Sequence, residues 1–422
     1  MARTKAVLPD GSRVTDHISL GVLAKAFPRE KISEILSRTG RHSIRNRDLP
    51  AHVVVYYVMA LALYMQSSYK EVMRCLLEGV SWLMDKAEPP KIVGESAISQ
   101  ARTRLGWEPI QQLHDEVVKP VAIETTCGAW FKGLRLVSLD GSCLDVPDEA
   151  ENAREFGRQT ATRGETAFPQ IRFVSLVENG THVLFGSRMA PYGISENEIA
   201  KDVLTSLEPG MLCLADRGFY GFNLWSKAMA TGADLLWRTR MKALLPREKV
   251  LDDGSFLSTI YPDPKARIKK QGGVTIRVVE YTLEGVEGAE PLYRLATTIM
   301  DPGVASAQEL AALYHERWEI ETAFDELKTH LRGNRMVLRS KRPDLVRQEF
   351  YGLIMAHFAI RALMHEAALS AGVDPDRLSF MHSVRVIRRK LARFASLPPS
   401  GVARTARQSR SGNSGGTRQV ES

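Results

Sequence analysis

The sequence predicts an α/β protein built on a mixed sheet, and three observations carry that reading. An apolar strand pattern, Leu134–Leu139, stops at Asp140-Gly141-Ser142. Two further segments, Ile171–Val177 and His182–Met189, flank Asn179-Gly180, a strong hairpin signal. Helix and strand patterns then alternate through Glu196–Leu207, Met211–Ala215, Phe222–Ala230 and Ala233–Thr239, the order expected of a sheet with covering helices.

Upstream of the sheet the pattern is helical. In Ser19–Ser37 the apolar residues recur mostly at three and four, with Pro28 marking a break. Pro50–Met65 reads as a buried helix. Ser67 or Ser68 can cap Tyr69–Met84, which Glu88-Pro89-Pro90 keeps from running on. Ser96–Leu105 closes at Gly106, and Pro109 starts Ile110–Val118. Helix, tight turn and helix with Arg102 and Arg104 exposed is one shape of a DNA-binding module, although short helical pairs are common and this one has no base-reading signature.

Downstream, Met241–Met300 holds short alternating segments, Gly273–Tyr281 and Leu292–Ile299, with turns at Asp253-Gly254 and Gly272-Gly273. It reads as a mostly β insertion. Ala311–Leu331 is a helix, and Pro343–Phe394 is helical and basic. Met1–Gly11 reads as a mobile tail, and Ser396–Ser422 has too few apolar residues to bury. The expected division is a helical N-terminal domain (1–130), a sheet domain (131–240 with 301–342), the β-rich insertion (241–300), a basic helical region (343–396) and a disordered tail (397–422).

Bulk properties narrow the class. The chain has 422 residues, 44% hydrophobic and 25% charged, as in ordinary soluble globular proteins of two or three domains. Its longest apolar run, Val53–Met65, falls short of the roughly 18–20 residues that cross a bilayer. No apolar segment follows Met1–Lys5 as a signal peptide would require, so a cytoplasmic protein with no membrane partner is expected. Cys75, Cys127, Cys143 and Cys213 show no metal-ligand spacing and read as reduced, mostly buried thiols. Lys and Arg total 57 against 49 Asp and Glu, a net charge of +8. The excess gathers near both ends, through Arg29 to Arg47 and from Arg332 to Arg410, including Arg385 to Arg393, which suits a polyanionic partner, although solvated surface charge explains each cluster equally well.

The chemistry concentrates in Ala311–Leu331. As a regular helix, it places Tyr314, Arg317, Glu321 and Lys328 within an arc of roughly 60°. Leu313, Ile320, Phe324, Leu327 and Leu331 form an apolar stripe beside it, while Glu316, Glu319 and Glu326 point away. An amphipathic helix with ordinary surface charges would read the same way. Upstream, however, Asp140 and Asp216 each sit where an apolar strand meets a glycine-containing turn, and strand-end side chains converge at a sheet rim. Three acids on separate elements suit hard divalent ions, and two Mg²⁺ ions together supply what phosphodiester cleavage needs. Arg317 and Lys328 would then face DNA phosphates. The rivals are Asp145 for Asp140, an Asp216–Arg217 ion pair, and Asp325 for Glu321. His315 and His330 read as surface residues, and Trp225 and Trp237 as core.

The sequence resembles the insertion-sequence-four group of bacterial DDE transposases. Tyr314, Arg317, Glu321 and Lys328 match that family's Tyr-x₂-Arg-x₃-Glu-x₆-Lys hallmark without a gap. Asp140-Gly141-Ser142 is similar to its first-acid motif and Asp216-Arg217-Gly218-Phe219-Tyr220 to its second. The resemblance covers most of the chain. It implies an RNase H-like catalytic domain in a bacterial, nucleoid-associated protein. It also implies a homodimer acting on double-stranded DNA, namely terminal inverted repeats and target. The chemistry implied is cut-and-paste strand transfer, commonly through a hairpin, with two Mg²⁺ ions for which Mn²⁺ can substitute. Asp140, Asp216 and Glu321 would be the metal ligands, and Tyr314, Arg317 and Lys328 would contact the backbone. Hairpin-forming members stack a flipped base on an aromatic of the insertion. With no Trp between Met241 and Met300, Tyr293 or Tyr281 would serve. The alternatives on the same residues are a nuclease that cuts without joining and a DNA-binding protein with a decayed site.

Overall fold

The computed structural model describes residues 19–43, 49–65, 67–80, 94–161, 164–283, 290–331 and 337–384. The two tails, Arg45, Arg47, Glu88-Pro89-Pro90 and the basic run Arg385–Arg393 lie outside them. The chain forms two compact units: residues 1–121, 144–170 and 324–422, and residues 122–143 and 171–323.

Helices make the first unit. Pro28 separates Ser19–Ala26 from Arg29–Arg38, as its missing N–H demands. Ala51–Leu63 is apolar on all sides apart from half-buried His52 and buried at every other position, which is how such a helix escapes water. It packs on Pro343–Ala371, where Gly352 permits the approach: a Cβ there would sit 2.7 Å from the Val58 carbonyl oxygen. Ser68 Oγ accepts the Glu71 N–H at the start of Tyr69–Val80. Glu95–Leu105 ends at Gly106, whose φ of 73° is left-handed, and Glu108–Val117 follows. Pro343–Ala371 does not run on to Phe394: Gly372, at φ 64°, stops it.

The second unit is built on a sheet. Its main strands are β1 (Leu134–Asp145), β2 (Gln170–Glu178), β3 (Val183–Pro191), β4 (Met211–Ala215), β5 (Asp234–Arg238), β6 (Lys249–Val250), β7 (Phe256–Ile260), β8 (Val274–Tyr281) and β9 (Tyr293–Thr297). They lie in the order β3-β2-β1-β4-β5-β9-β8-β7-β6, with a two-residue strand at Trp130–Phe131 beside β1. Pairing is parallel across β1-β4-β5 and antiparallel in the β2-β3 hairpin and across β5-β9-β8-β7-β6. The mixed α/β expectation holds, and the insertion extends the same sheet. Trp225 and Trp237 are fully buried, as expected of core residues. The insertion also carries a short helix, Pro264–Lys269, absent from the sequence reading although Asp263-Pro264 opens it as cap and first residue.

Three further expectations need correction. The strand through Leu139 does not end at Asp140-Gly141-Ser142 but continues to Asp145. Pairing to β4 stops at Leu139↔Ala215, and the strand runs on past that neighbour. Cys127 is exposed and Cys143 intermediate, so the described thiols are not mostly buried. Arginines of the C-terminal stretch are also spent internally. Arg339 donates to the Tyr64 and Ser67 carbonyls, and Arg361 pairs with Glu326.

Candidate active site

The parallel register aligns the two aspartates. Leu139 pairs with Ala215 as the last matched position of β1 and β4, so Asp140 and Asp216 follow side by side. The phenol of Tyr314 holds this end of β4 by donating to the Ala215 carbonyl at 3.3 Å. Asp140 Oδ1 accepts the Gly141 N–H at 2.7 Å. Burial pushes its carboxyl up to about 6, against the pull of the Gly141 N–H and Arg317. Glu196 and Asp216 add to the rise through like charge.

Glu196 is a fourth carboxylate that the sequence reading missed. It opens helix Glu196–Val203, which Ser195 caps. A Cβ on Gly141 would stand 2.6 Å from its Cδ. Gly141 thus marks a close approach within a strand, which is what a strand glycine often signals, rather than a turn.

The helix expected over Ala311–Leu331 changes pitch three times. Ser306 and Glu309 form a reciprocal capping box that starts it at Ala307. Ala307–Leu313 is α-helical, Tyr314–Trp318 a 3₁₀ turn, Glu319–Asp325 α-helical and Glu326–Leu331 a π turn. At three residues per turn, positions i and i+3 eclipse, so Tyr314 and Arg317 lie on one line rather than across an arc. Both are buried, at 6% exposure each. The apolar stripe of Leu313, Ile320, Phe324, Leu327 and Leu331 is buried as expected. Glu326 also turns inward, to Arg361 and His357.

Arg317 links two of the acids. Its Nη1 lies 3.3 Å from Asp140 Oδ2 and its Nη2 3.6 Å from Glu321 Oε1, with the guanidinium 5.0 Å from the Trp318 ring centroid. Glu321 itself is half-exposed. Among the described residues, Asp140, Asp216 and Glu321 do not form a set with all ligand oxygens within 4.8 Å of one another. Their chemistry nonetheless fits divalent ions: three hard oxygen donors, one of them largely desolvated.

The rival residues find other partners. Asp145 accepts from Gln170 Nε2 at 2.8 Å, and Arg217 pairs with Glu290 at 2.7 Å rather than with Asp216. Asp325 is exposed and belongs, like half-buried Lys328, to the first compact unit. His315 is exposed. Tyr293 stacks on Tyr281 at 5.2 Å, while Arg238 sits 4.6 Å from the Tyr293 centroid. Tyr293 is half-buried. The exposed aromatic beside the acids is Trp318, at 56% exposure.

Arg102 is not exposed as expected. It falls on the buried stripe Ile98, Ala101, Arg102 and Leu105 of its helix, and only 2% of it meets solvent. Its Nε donates to Gln348 Oε1 (3.1 Å), and Nη2 to Ser340 Oγ (3.0 Å) and the Leu345 carbonyl (2.9 Å). Arg104 is exposed. Denaturation of Arg102→Ala is expected to show a loss of about 2–4 kcal/mol, since three buried acceptors lose a charged donor. Arg104→Ala should unfold close to wild type.

Two family models match this chain. Residues 17–115 match the model of the insertion element 4 transposase N-terminal region, and residues 132–359 match the transposase DDE domain. The chain belongs to the insertion-sequence-four group of DDE transposases. Its sheet is accordingly RNase H-like. It is 29% identical over 379 residues to the transposase InsG for insertion sequence element IS4 of Escherichia coli K12, covering 88% of this chain and 83% of that protein. It is 26% identical over 220 residues to the putative transposase InsZ of the same strain, covering 52% of this chain and 71% of that one. A cryo-EM structure of a piggyBac transposase synaptic complex with hairpin DNA aligns over 96% of this chain and 87% of that chain, at a TM-score of 0.46 and 12% identity. No described helix of this transposase is long and apolar enough to cross a membrane.

Proposed function

We propose that this transposase cleaves the ends of its insertion sequence and joins the freed 3′-hydroxyl to target DNA, acting as a homodimer on paired ends. The observation that carries the reading is the register of β1 and β4, which sets Asp140 beside Asp216 next to the segment that bears Glu321. Asp140, Asp216 and Glu321 would hold two Mg²⁺ ions. When bound, such ions activate the attacking water or hydroxyl and stabilise the leaving oxygen.

The remaining groups bind and orient. Tyr314 fixes the end of β4 and so the aim of Asp216. Arg317 and Lys328 supply charge for backbone phosphates, Arg317 in the bidentate fashion open to a guanidinium. In the helical unit, exposed Arg104 offers a further cation for DNA. Tyr293, stacked on Tyr281 and close to Arg238, is the insertion aromatic that would take a flipped base in a hairpin step.

Incubating the protein with end fragments, a supercoiled target plasmid and Mg²⁺ tests the reading. Joined end–plasmid products are expected. Cleaved ends without joining would mark a nuclease instead, and bound but uncut ends a DNA-binding protein.

A further inference from the structure

Arg317 occupies an unusual position for a DNA-contacting residue. Its guanidinium is almost wholly withdrawn from solvent and spans Asp140 and Glu321, which stand on different elements of the unit. Like-charged carboxylates brought together cost free energy unless a cation lies between them, and the cost grows where water is excluded. Here Glu196 and Asp216 each bring like charge to bear on Asp140. The 3₁₀ turn aims Arg317 inward along the line of Tyr314, so the backbone presents this cation to the acids.

We propose that Arg317 is the resident counter-cation of the ion-free site, and that its guanidinium must leave Asp140 and Glu321 before a divalent cation can bind there. The inference rests on the reading of those acids as ion ligands. It adds an order of events. A guanidinium released from two carboxylates needs another anion, and the DNA backbone offers phosphates of matching geometry. DNA and the divalent ion therefore favour each other's binding through one side chain, and by linkage each raises the other's affinity by the same factor. The free protein then keeps a weak ion site, which tightens where an end is bound.

Binding of Mn²⁺ to the full chain, followed by titration calorimetry without DNA, tests this. Arg317→Ala is expected to bind Mn²⁺ at least about tenfold more tightly than wild type, because the competing cation is gone. Arg317→Lys should stay near wild type. End DNA should tighten Mn²⁺ binding to wild type and leave Arg317→Ala little changed. Equal or weaker binding by a folded Arg317→Ala overturns the proposal, since a merely structural arginine would not oppose the ion. Asp140→Asn keeps the two readings apart. If it leaves Mn²⁺ binding intact, the ion-ligand assignment fails. If it abolishes binding while Arg317→Ala changes nothing, only the counter-cation role fails.

Should Arg317→Ala not fold, Trp318 reports the same event, because the guanidinium lies over its ring. The fluorescence difference between wild type and Trp318→Phe is expected to change as Mg²⁺ saturates the site. A flat difference at Mg²⁺ concentrations that displace bound Mn²⁺ also overturns the proposal.

Discussion

Asp140→Asn is expected to lower cleavage of insertion-sequence ends by about a thousandfold or more, equivalent to ~4 kcal/mol of barrier, while DNA binding stays near wild type. The amide preserves shape and keeps an oxygen for the Gly141 N–H, so β1 has no reason to move. What it removes is negative charge, at a carboxyl that burial raises to about 6 and that is still ionised at neutral pH. Glu321→Gln and Asp216→Asn should behave alike. Gel shifts with end fragments and a cleavage assay in Mg²⁺ separate the two properties. Full cleavage by any of the three variants would remove that acid from the ligand set. Arg317 makes an instructive contrast with Asp140. Its loss should tighten ion binding, whereas loss of Asp140 should weaken it, although the two side chains touch.

Much of this site was legible because its parts are local. Apolar alternation locates β1 and β4, and the spacing of Tyr314, Arg317 and Glu321 needs only an approximate helix. What was not legible depends on contacts made across the fold. The 3₁₀ and π turns in Tyr314–Leu331 have no periodic signature. Tyr314 and Leu327, one in each turn, are both buried. Gly141 read as a turn because nothing local shows that Glu196, more than fifty residues on, lies against its α-carbon. Basic composition was misleading in a similar way. Arg102, Arg339 and Arg361 count as positive charge in the sequence yet spend it on internal acceptors. Two signals were available and went unread. The Ser306-x-x-Glu309 capping box sets the true start of the helix, and the spacing of Ile98, Ala101 and Leu105 places Arg102 on the buried face.

Gly180→Ala is expected to destabilise the sheet unit by about 3–5 kcal/mol, near the upper limit for single substitutions. Gly180 sits in the β2–β3 turn at a φ of 77°, where an L side chain is strained. A Cβ there would stand 2.3 Å from the Cys127 carbonyl oxygen and 2.8 Å from the Ala129 nitrogen, both backbone atoms with little freedom to yield. The damage would not stay in the turn. The Gly180 N–H donates to the Glu319 carboxylate. Its neighbour Asn179 accepts from Ser138 Oγ at 2.9 Å and donates to the Glu316 carbonyl at 2.8 Å. Ser138 lies two residues before Asp140, while Glu316 and Glu319 flank Arg317 and precede Glu321. The turn therefore ties the strand of the first acid to the segment of the last, and straining it should cost end cleavage as well as stability. Gly193→Ala, where φ is not left-handed and no atom lies within 4 Å of the new methyl, provides the control and should unfold like wild type. Equal denaturation midpoints for the two variants would show that the β2–β3 turn can shift away from Cys127 without loss, and that it does not hold the acids in place.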